Sequence, residues 1–213
     1  MINLNQEWIK PKKPIPIVIF GAGSIANDAH LPASEKSGFK VLGIYDPDIE
    51  KAQYLATKFN LDIFHSLEEA IDQENVIFDL ATPPEVHTEI LKFLPEKSGV
   101  LIQKPMGSNL DEATKILEIC NTRSLKAAVN FQLRFAPMMI ALRDAINSGL
   151  LGTIVDFDAW LALDTPWSLW KFLENLPRVE ILLHSIHYFD FIRSILGNPI
   201  GVKAKTLGFP GKK

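Results

Sequence analysis

Short apolar runs alternate with stretches whose apolar positions recur at helical spacing, from residue 15 to about residue 129. Ile15–Phe20 predicts a strand and 24–36 a helix. Lys40–Tyr45 predicts a second strand, and 48–59 a helix whose apolar positions are Ile49, Ala52, Leu55, Ala56 and Phe59. A short strand near 62–64 leads to a helix at 67–73. Val76–Leu80 precedes a helix at 84–94, Val100–Ile102 precedes a helix at 109–121, and Ala127–Val129 closes the series. Helices between short apolar strands predict a parallel sheet covered on both faces. Its crossovers should be right-handed.

The pattern changes near residue 131. An amphipathic helix is predicted at 135–147, ending at Asn147-Ser148-Gly149. Thr153–Leu163 predicts a longer strand with partial alternation at Ile154, Phe157 and Trp160. A Trp- and Pro-rich segment, 164–177, leads to a helix from about 178 to 196 that stops at Gly197-Asn198-Pro199. A last strand is predicted at about 200–206. This is the opening of an α+β domain.

Composition narrows the class. The 213 residues are 47% hydrophobic and 22% charged, which suits a soluble globular chain of one or two domains. A net charge of −3 favours neither nucleic acid nor an anionic membrane as a partner. Cys120 is the single cysteine and lies in an apolar helical pattern with Ile116, Leu117 and Ile119, so a core position is expected. Lys10, Lys12 and Lys13 sit among prolines, and the apolar run behind them is too short for a signal peptide. No segment reaches the roughly 20 apolar residues of a membrane span. A cytoplasmic location is the expectation.

The first predicted strand runs into Gly21-Ala22-Gly23-Ser24-Ile25-Ala26. Gly21 permits a tight turn, and Gly23 lets the backbone approach a dinucleotide's pyrophosphate. The following helix start offers free N–H groups and a positive dipole end. Such a glycine pattern is weak alone; the strand before it and the helix after it give it weight. The ligand then belongs at the C-terminal edge of the sheet, at its switch point.

Other chemistry-bearing residues fall at the ends of predicted strands. Asp46 can accept hydrogen bonds from ribose hydroxyls, which favours NAD over NADP; no Arg follows to receive a 2′-phosphate. Asp46-Pro47 also reads as a helix N-cap. Ala81-Thr82-Pro83-Pro84, with His87 beyond, either touches the cofactor or only punctuates strand and helix. Gln103-Lys104-Pro105 follows the fifth strand. Its lysine can donate to a substrate hydroxyl, or it is a solvated charge.

His184, His187 and Asp190 share roughly one face of the predicted 178–196 helix. Histidine exchanges a proton near neutral pH, and Asp190 can fix the tautomer of the ring. Two histidines at this spacing can also ligate zinc, although further ligands are not evident. Trp160, Trp167 and Trp170 with Phe157 can line a sugar cleft; for Trp160, core packing is the competing role.

Taken in order, these pieces resemble the Gfo/Idh/MocA family, which includes glucose–fructose oxidoreductase and inositol 2-dehydrogenase. The resemblance rests on Gly21–Ala26 with His30-Leu31-Pro32, on Asp46-Pro47, and on Ala81–Pro84 with His87. It continues through Lys104-Pro105, Asn130–Phe135 with Pro137, and His187 with Asp190. It implies a doubly wound Rossmann domain over 1–131, followed over 132–213 by an α+β domain with a mainly antiparallel sheet. Family members continue well past this length, so that second domain is expected to be partial.

The resemblance also implies an NAD(P)-dependent oxidoreductase. A hydride would pass between nicotinamide C4 and a carbinol or carbonyl carbon of a sugar, cyclitol or related polyol. Lys104, His187 and Asp190 would form the catalytic set. Cofactor contacts would come from Gly21, Ala22, Gly23, Ser24, Ile25, Asp46, Ala81, Thr82, Pro83, His87, Gln103 and Lys104. Substrate contacts would come from Lys104, Asn130, Arg134, His184 and His187, with no metal. Family members oligomerise through the outer sheet face, which leaves a homo-oligomer open to this chain.

Two residues depart from the family pattern. The usual Glu-Lys-Pro has become Gln103-Lys104-Pro105, which removes a carboxylate that would favour a charged lysine. The Asp often found four residues before the histidine is Leu183, with His184 next to it. Both departures, and the length, also admit a catalytically silent dinucleotide-binding protein or an inactive fragment.

Overall fold

Val18, Ile19 and Phe20 are wholly buried. They can be apolar on both faces because their strand, β1 (Ile17–Phe20), lies inside a parallel sheet flanked by helices. The computed structural model describes residues 2–166, 173, 178–205 and 207. In sequence order the remaining strands are β2 (Val41–Tyr45), β3 (Asp62–Ile63), β4 (Ile77–Leu80), β5 (Gly99–Ile102) and β6 (Lys126–Val129). The sheet order is β3-β2-β1-β4-β5-β6, and every pairing is parallel. Chain direction across the sheet therefore reverses between β1 and β4, where open sheets of this class bind ligands.

Side chains alternate across the sheet. Val18, Phe20, Phe78, Leu80, Val100 and Ile102 face one layer, where α4 (Pro84–Phe93) and α5 (Leu110–Thr122) bring Leu91, Ile116 and Cys120. Ile19 and Ile44 face the other, where the first helical stretch brings Ala26 and Leu31, and α2 (Ile49–Phe59) brings Ala52, Leu55 and Ala56. Each fully buried Leu, Ile or Phe contributes about 1.5–3 kcal/mol. Cys120 is a core residue, as its sequence neighbours predict.

The helices begin where short polar side chains can cap them. Asp48, Ser66 and Asn109 accept from the backbone N–H of Lys51, Glu69 and Glu112, opening α2, α3 (Leu67–Ile71) and α5. The first helical stretch instead widens into π turns over Ala26–His30 before α1 (Leu31–Ser37). Pro32 has no N–H to return to the turn before it, which favours such a widening.

The chain divides into two compact units. The sheet unit comprises Ile9–Phe131 and Leu163–His184. The other comprises Met1–Trp8, Gln132–Ala162 and Ser185–Lys213. In the second unit, a 3₁₀ turn (Gln132–Phe135) precedes α6 (Pro137–Asn147), and the C-terminal helix is α7 (Ile186–Leu196). A π turn at Ile181–Ser185 leads into α7. Among the described residues no helix is long and apolar enough to cross a membrane.

Two expectations for residues 132–213 need correction. Neither Thr153–Leu163 nor the described part of 200–206 forms a strand, so no antiparallel sheet is present among the described residues. Alternation makes a strand only where a neighbouring backbone takes up its N–H and C=O groups. Trp160 is 90% exposed, which removes it from the core. Phe157 packs edge-on against Phe191, with ring centroids 6.1 Å apart. Trp167, Trp170 and residue 206 lie outside the described residues.

Candidate functional site

The turn after β1 is built around Gly21. Its φ is +99°, and a Cβ there would meet the Ala81 carbonyl oxygen at 2.5 Å. Only glycine fits this place, since L side chains avoid positive φ. Gly23 differs: a Cβ added to it would meet nothing within 4 Å, and Gly23 and Ser24 are exposed. The backbone at Gly23 is thus bare on its outer side for a reason that the protein's own packing does not impose.

Asp46 closes this turn from the end of β2. Its Oδ2 accepts the backbone N–H of Ala22 at 2.7 Å, and its Oδ1 accepts that of Asp48 at 2.8 Å. The helix cap is Asp48, so the capping role read for Asp46 belongs two residues on. Each carboxylate oxygen of Asp46 keeps a second acceptor site. A tight turn, an exposed backbone after it and a carboxylate at the switch point match the needs of a pyrophosphate and a ribose, so the residues fit a dinucleotide.

From the end of β4, Ala81 and Thr82 border the Gly21 turn through the Ala81 carbonyl and the Thr82 methyl, and Pro83 follows them into α4. His87 is wholly buried, with Nδ1 3.0 Å from the Met106 carbonyl oxygen and Nε2 3.0 Å from that of Thr82. Burial holds its pKa below the ordinary histidine range, although both carbonyls favour the charged form. His87 therefore braces the 82–106 loops from beneath rather than presenting a face to a ligand.

Gln103 and Lys104 follow β5. Gln103 is buried, and its Oε1 accepts the backbone N–H of Lys104 at 2.7 Å. Its amide nitrogen lies 3.2 Å from His30 Nε2, which also lies 3.3 Å from Asn130 Nδ2. On the other side of the ring, His30 Nδ1 is 2.7 Å from Asp79 Oδ2. Lys104 Nζ donates to the Leu183 carbonyl at 3.2 Å, and burial lowers its pKa. His184 is lowered by burial and then by the Lys104 charge, with Glu180 opposing.

The second unit holds the remaining expected residues. His187 and Asp190 are both buried in α7. Arg134 grips Asp190 with both arms of its guanidinium: Nε donates to Oδ2, and the second nitrogen to Oδ1 at 2.5 Å. This bidentate bond raises the Arg134 pKa further. Arg134, expected at the substrate, is thus engaged with the carboxylate expected beside His187. Among the described residues no three His, Cys, Asp or Glu side chains gather where a metal could be held.

Gly21–Ile25, Asp46, Ala81–Pro83, His87, Gln103, Lys104, Asn130 and His184 all belong to the sheet unit, and Arg134, His187 and Asp190 to the other. Sequence reasoning missed the partnership of His30, Asp79 and Gln103. The available signal was Asp79 itself, a carboxylate inside the apolar run Val76–Leu80, which could be buried only with a partner.

A family model described as an oxidoreductase family with an NAD-binding Rossmann fold, GFO_IDH_MocA, matches residues 15–131. Trans-1,2-dihydrobenzene-1,2-diol dehydrogenase of Mus musculus is 31% identical over 206 residues, covering 89% of this chain and 59% of the relative. Inositol 2-dehydrogenase of Rhizobium meliloti is 23% identical over 198 residues, covering 87% and 56%. The chain thus spans little more than half the length of these curated relatives. The crystal structure of the WlbA dehydrogenase from Bordetella pertussis in complex with NADH and UDP-GlcNAcA superposes with a TM-score of 0.67 and 20% identity, over 87% of this chain and 59% of that one. An oxidoreductase from Agrobacterium radiobacter in complex with NAD+, L-tartaric acid and magnesium gives a TM-score of 0.71 at 20% identity, over 87% and 55%. At these identities the two structures speak for the fold.

Proposed function

Because the chain belongs to the Gfo/Idh/MocA oxidoreductase family, we propose that it binds NAD at the Gly21–Ile25 turn and oxidises or reduces a sugar, cyclitol or related polyol. The observation that carries this reading is the turn itself: Gly21 locked against Ala81, an exposed backbone at Gly23, and Asp46 tied to Ala22. Free N–H groups at Gly23–Ile25 hold the pyrophosphate. Asp46 accepts from the ribose hydroxyls and repels a 2′-phosphate, so NAD is preferred over NADP. Ala81, Thr82, Pro83 and Gln103 border the cofactor from the neighbouring strand ends.

When bound, NAD supplies a hydride acceptor at nicotinamide C4, and NADH the donor. The chain's own residues handle the oxygen and its proton. In the oxidation direction His187 takes the hydroxyl proton, and Lys104 donates to the developing alkoxide and orients the carbon. Asp190, fixed by Arg134, supports the histidine; Asn130 and His184 contribute to substrate binding. The relatives named for an inositol and for a dihydrodiol support an alicyclic polyol as the substrate class. Residues 132–213 would serve substrate binding and self-association, in a cytoplasmic homo-oligomer.

Titration with NADH and NADPH, followed by cofactor fluorescence, tests the first half. Saturable NADH binding tighter than NADPH is expected, and binding of neither overturns the reading. A screen of sugars, inositols and their keto forms then tests the second half. Lys104→Ala and His187→Ala should each lower kcat by about 100-fold or more. A kcat near wild type in both removes the assignment. NADH binding without any turnover would make the chain a silent dinucleotide binder.

A further inference from the structure

We propose that Asp79 and His30 are positioning residues that act through the Gln103 amide to fix the peptide carrying Lys104. The direction of every bond in the chain follows from its last member. The backbone N–H of Lys104 can only donate, so the atom facing it at 2.7 Å is the Gln103 oxygen. That leaves the Gln103 NH2 pointing at His30 Nε2, 3.2 Å away, with the Asn130 NH2 beside it at 3.3 Å. Nε2 must then be an acceptor. The ring proton sits on Nδ1 and is donated to Asp79 Oδ2 at 2.7 Å. Asp79 therefore selects the tautomer that keeps the Nε2 lone pair free for Gln103.

The cost of assembling this chain argues that it does more than fill space. His30, Asp79 and Gln103 are 8%, 5% and 6% exposed. Asp79 Oδ1 has no hydrogen-bond partner among the described residues. An apolar trio would occupy the same layer beside Ile19 without desolvating a carboxylate. What the polar version adds is a tie between three separate segments: β4 through Asp79, the π turn through His30, and the end of β5 through Gln103. The tie ends on the peptide of Lys104. Without the His30 anchor the Gln103 side chain regains its torsional freedom, and the Lys104 amide loses its acceptor.

A glutamate at position 103 would have the opposite requirement. It could accept from Lys104 but would have no proton for Nε2, so the ring would need a proton on each nitrogen. Gln103 thus matches the singly protonated His30 that Asp79 sets up.

The catalytic importance of the tie rests on the reading of Lys104 given above, but its existence does not. Selective 15N-histidine labelling of the full chain reads the ring directly. Near neutral pH, His30 should carry its proton on Nδ1 and none on Nε2. Asp79→Leu keeps the branched skeleton with some added bulk and removes the acceptor. It should abolish that pattern and speed hydrogen exchange at the Lys104 amide by about tenfold or more. Asp79→Asn retains an acceptor oxygen and should restore both. Gln103→Glu should place a proton on each ring nitrogen. Where turnover is found, Asp79→Leu should lower kcat about tenfold, and by more than it lowers NADH affinity. A proton on Nε2 in the wild type overturns the proposal. So does wild-type exchange at Lys104 in a folded Asp79→Leu protein. If Asp79→Leu does not fold, Gln103→Glu decides alone, and an unchanged ring overturns the proposal. Failure to find any hydride transfer would overturn the function while leaving the ring and exchange readouts intact.

Discussion

Asp46 Oδ2 accepts the backbone N–H of Ala22 at 2.7 Å, which fastens the end of β2 to the glycine turn after β1. One carboxylate thereby shapes the turn and faces the place proposed for the ribose. Asp46→Ala should weaken NADH binding by about tenfold and reduce the preference for NADH over NADPH. It should also cost about 1 kcal/mol of stability through the lost turn bond. Fluorescence titration and urea unfolding check the two effects separately. An unchanged NADH-to-NADPH ratio with lowered stability would leave Asp46 as a turn residue only.

The two glycines of the turn should fail in different ways. Gly21→Ala puts a Cβ 2.5 Å from the Ala81 carbonyl oxygen at a φ of +99°. A loss of at least about 2 kcal/mol is expected from strain and displacement together. Gly23→Ala meets nothing within 4 Å. Its stability should stay within about 0.5 kcal/mol of wild type, while NADH binding falls by about tenfold or more. Equal NADH affinity in Gly23→Ala and wild type would place the pyrophosphate elsewhere.

The contrast between these glycines shows what a sequence can reveal. Gly21 and the run Ile17–Phe20 are local facts: a turn that needs positive φ, and a strand buried on both faces. Both appear directly in residue type and order. The caps Asp48, Ser66 and Asn109 are equally local, although Asp46-Pro47 in the sequence puts the cap before α2 two residues early, at Asp46. The tie from Asp79 through His30 to Gln103 joins residues from three segments, and only the misplaced charge in β4 hinted at it. The grip of Arg134 on Asp190 joins residues far apart in the chain and left no local trace. Thr153–Leu163 erred in the other direction, because its alternation is local but a strand needs a partner.

Removing Arg134 should expose how much that grip matters. Asp190 is 10% exposed at its side chain and Arg134 37%, so solvent screens one partner more than the other. Arg134→Ala leaves a nearly buried carboxylate without its donors, and a loss of about 1–3 kcal/mol is expected. Asp190→Asn should cost less, and the double variant should cost less than the two losses added together. Urea unfolding of the four proteins checks the coupling. Strict additivity would mean that the pair is only a surface contact.

Lys104 should show opposite pH trends in activity and stability. Burial lowers its pKa from the ordinary lysine range. The charged form is the one that stabilises a developing alkoxide, so turnover is held below its folded pKa and falls as pH rises through it. That loss should begin below the ordinary lysine value of about 10.4. Stability runs the other way. Between the folded and unfolded pKa values the unfolded chain binds more protons, so unfolding becomes harder as pH rises. The burial penalty is fully present at neutral pH and is relieved across that window. Lys104→Met keeps the stem without the charge, so its stability advantage over wild type should shrink with rising pH. Urea unfolding across an alkaline series, paired with the pH profile of turnover, checks both signs. A constant stability difference between the two proteins would mean that Lys104 stays solvated, and an alkaline limb at the ordinary lysine value would say the same of the active enzyme.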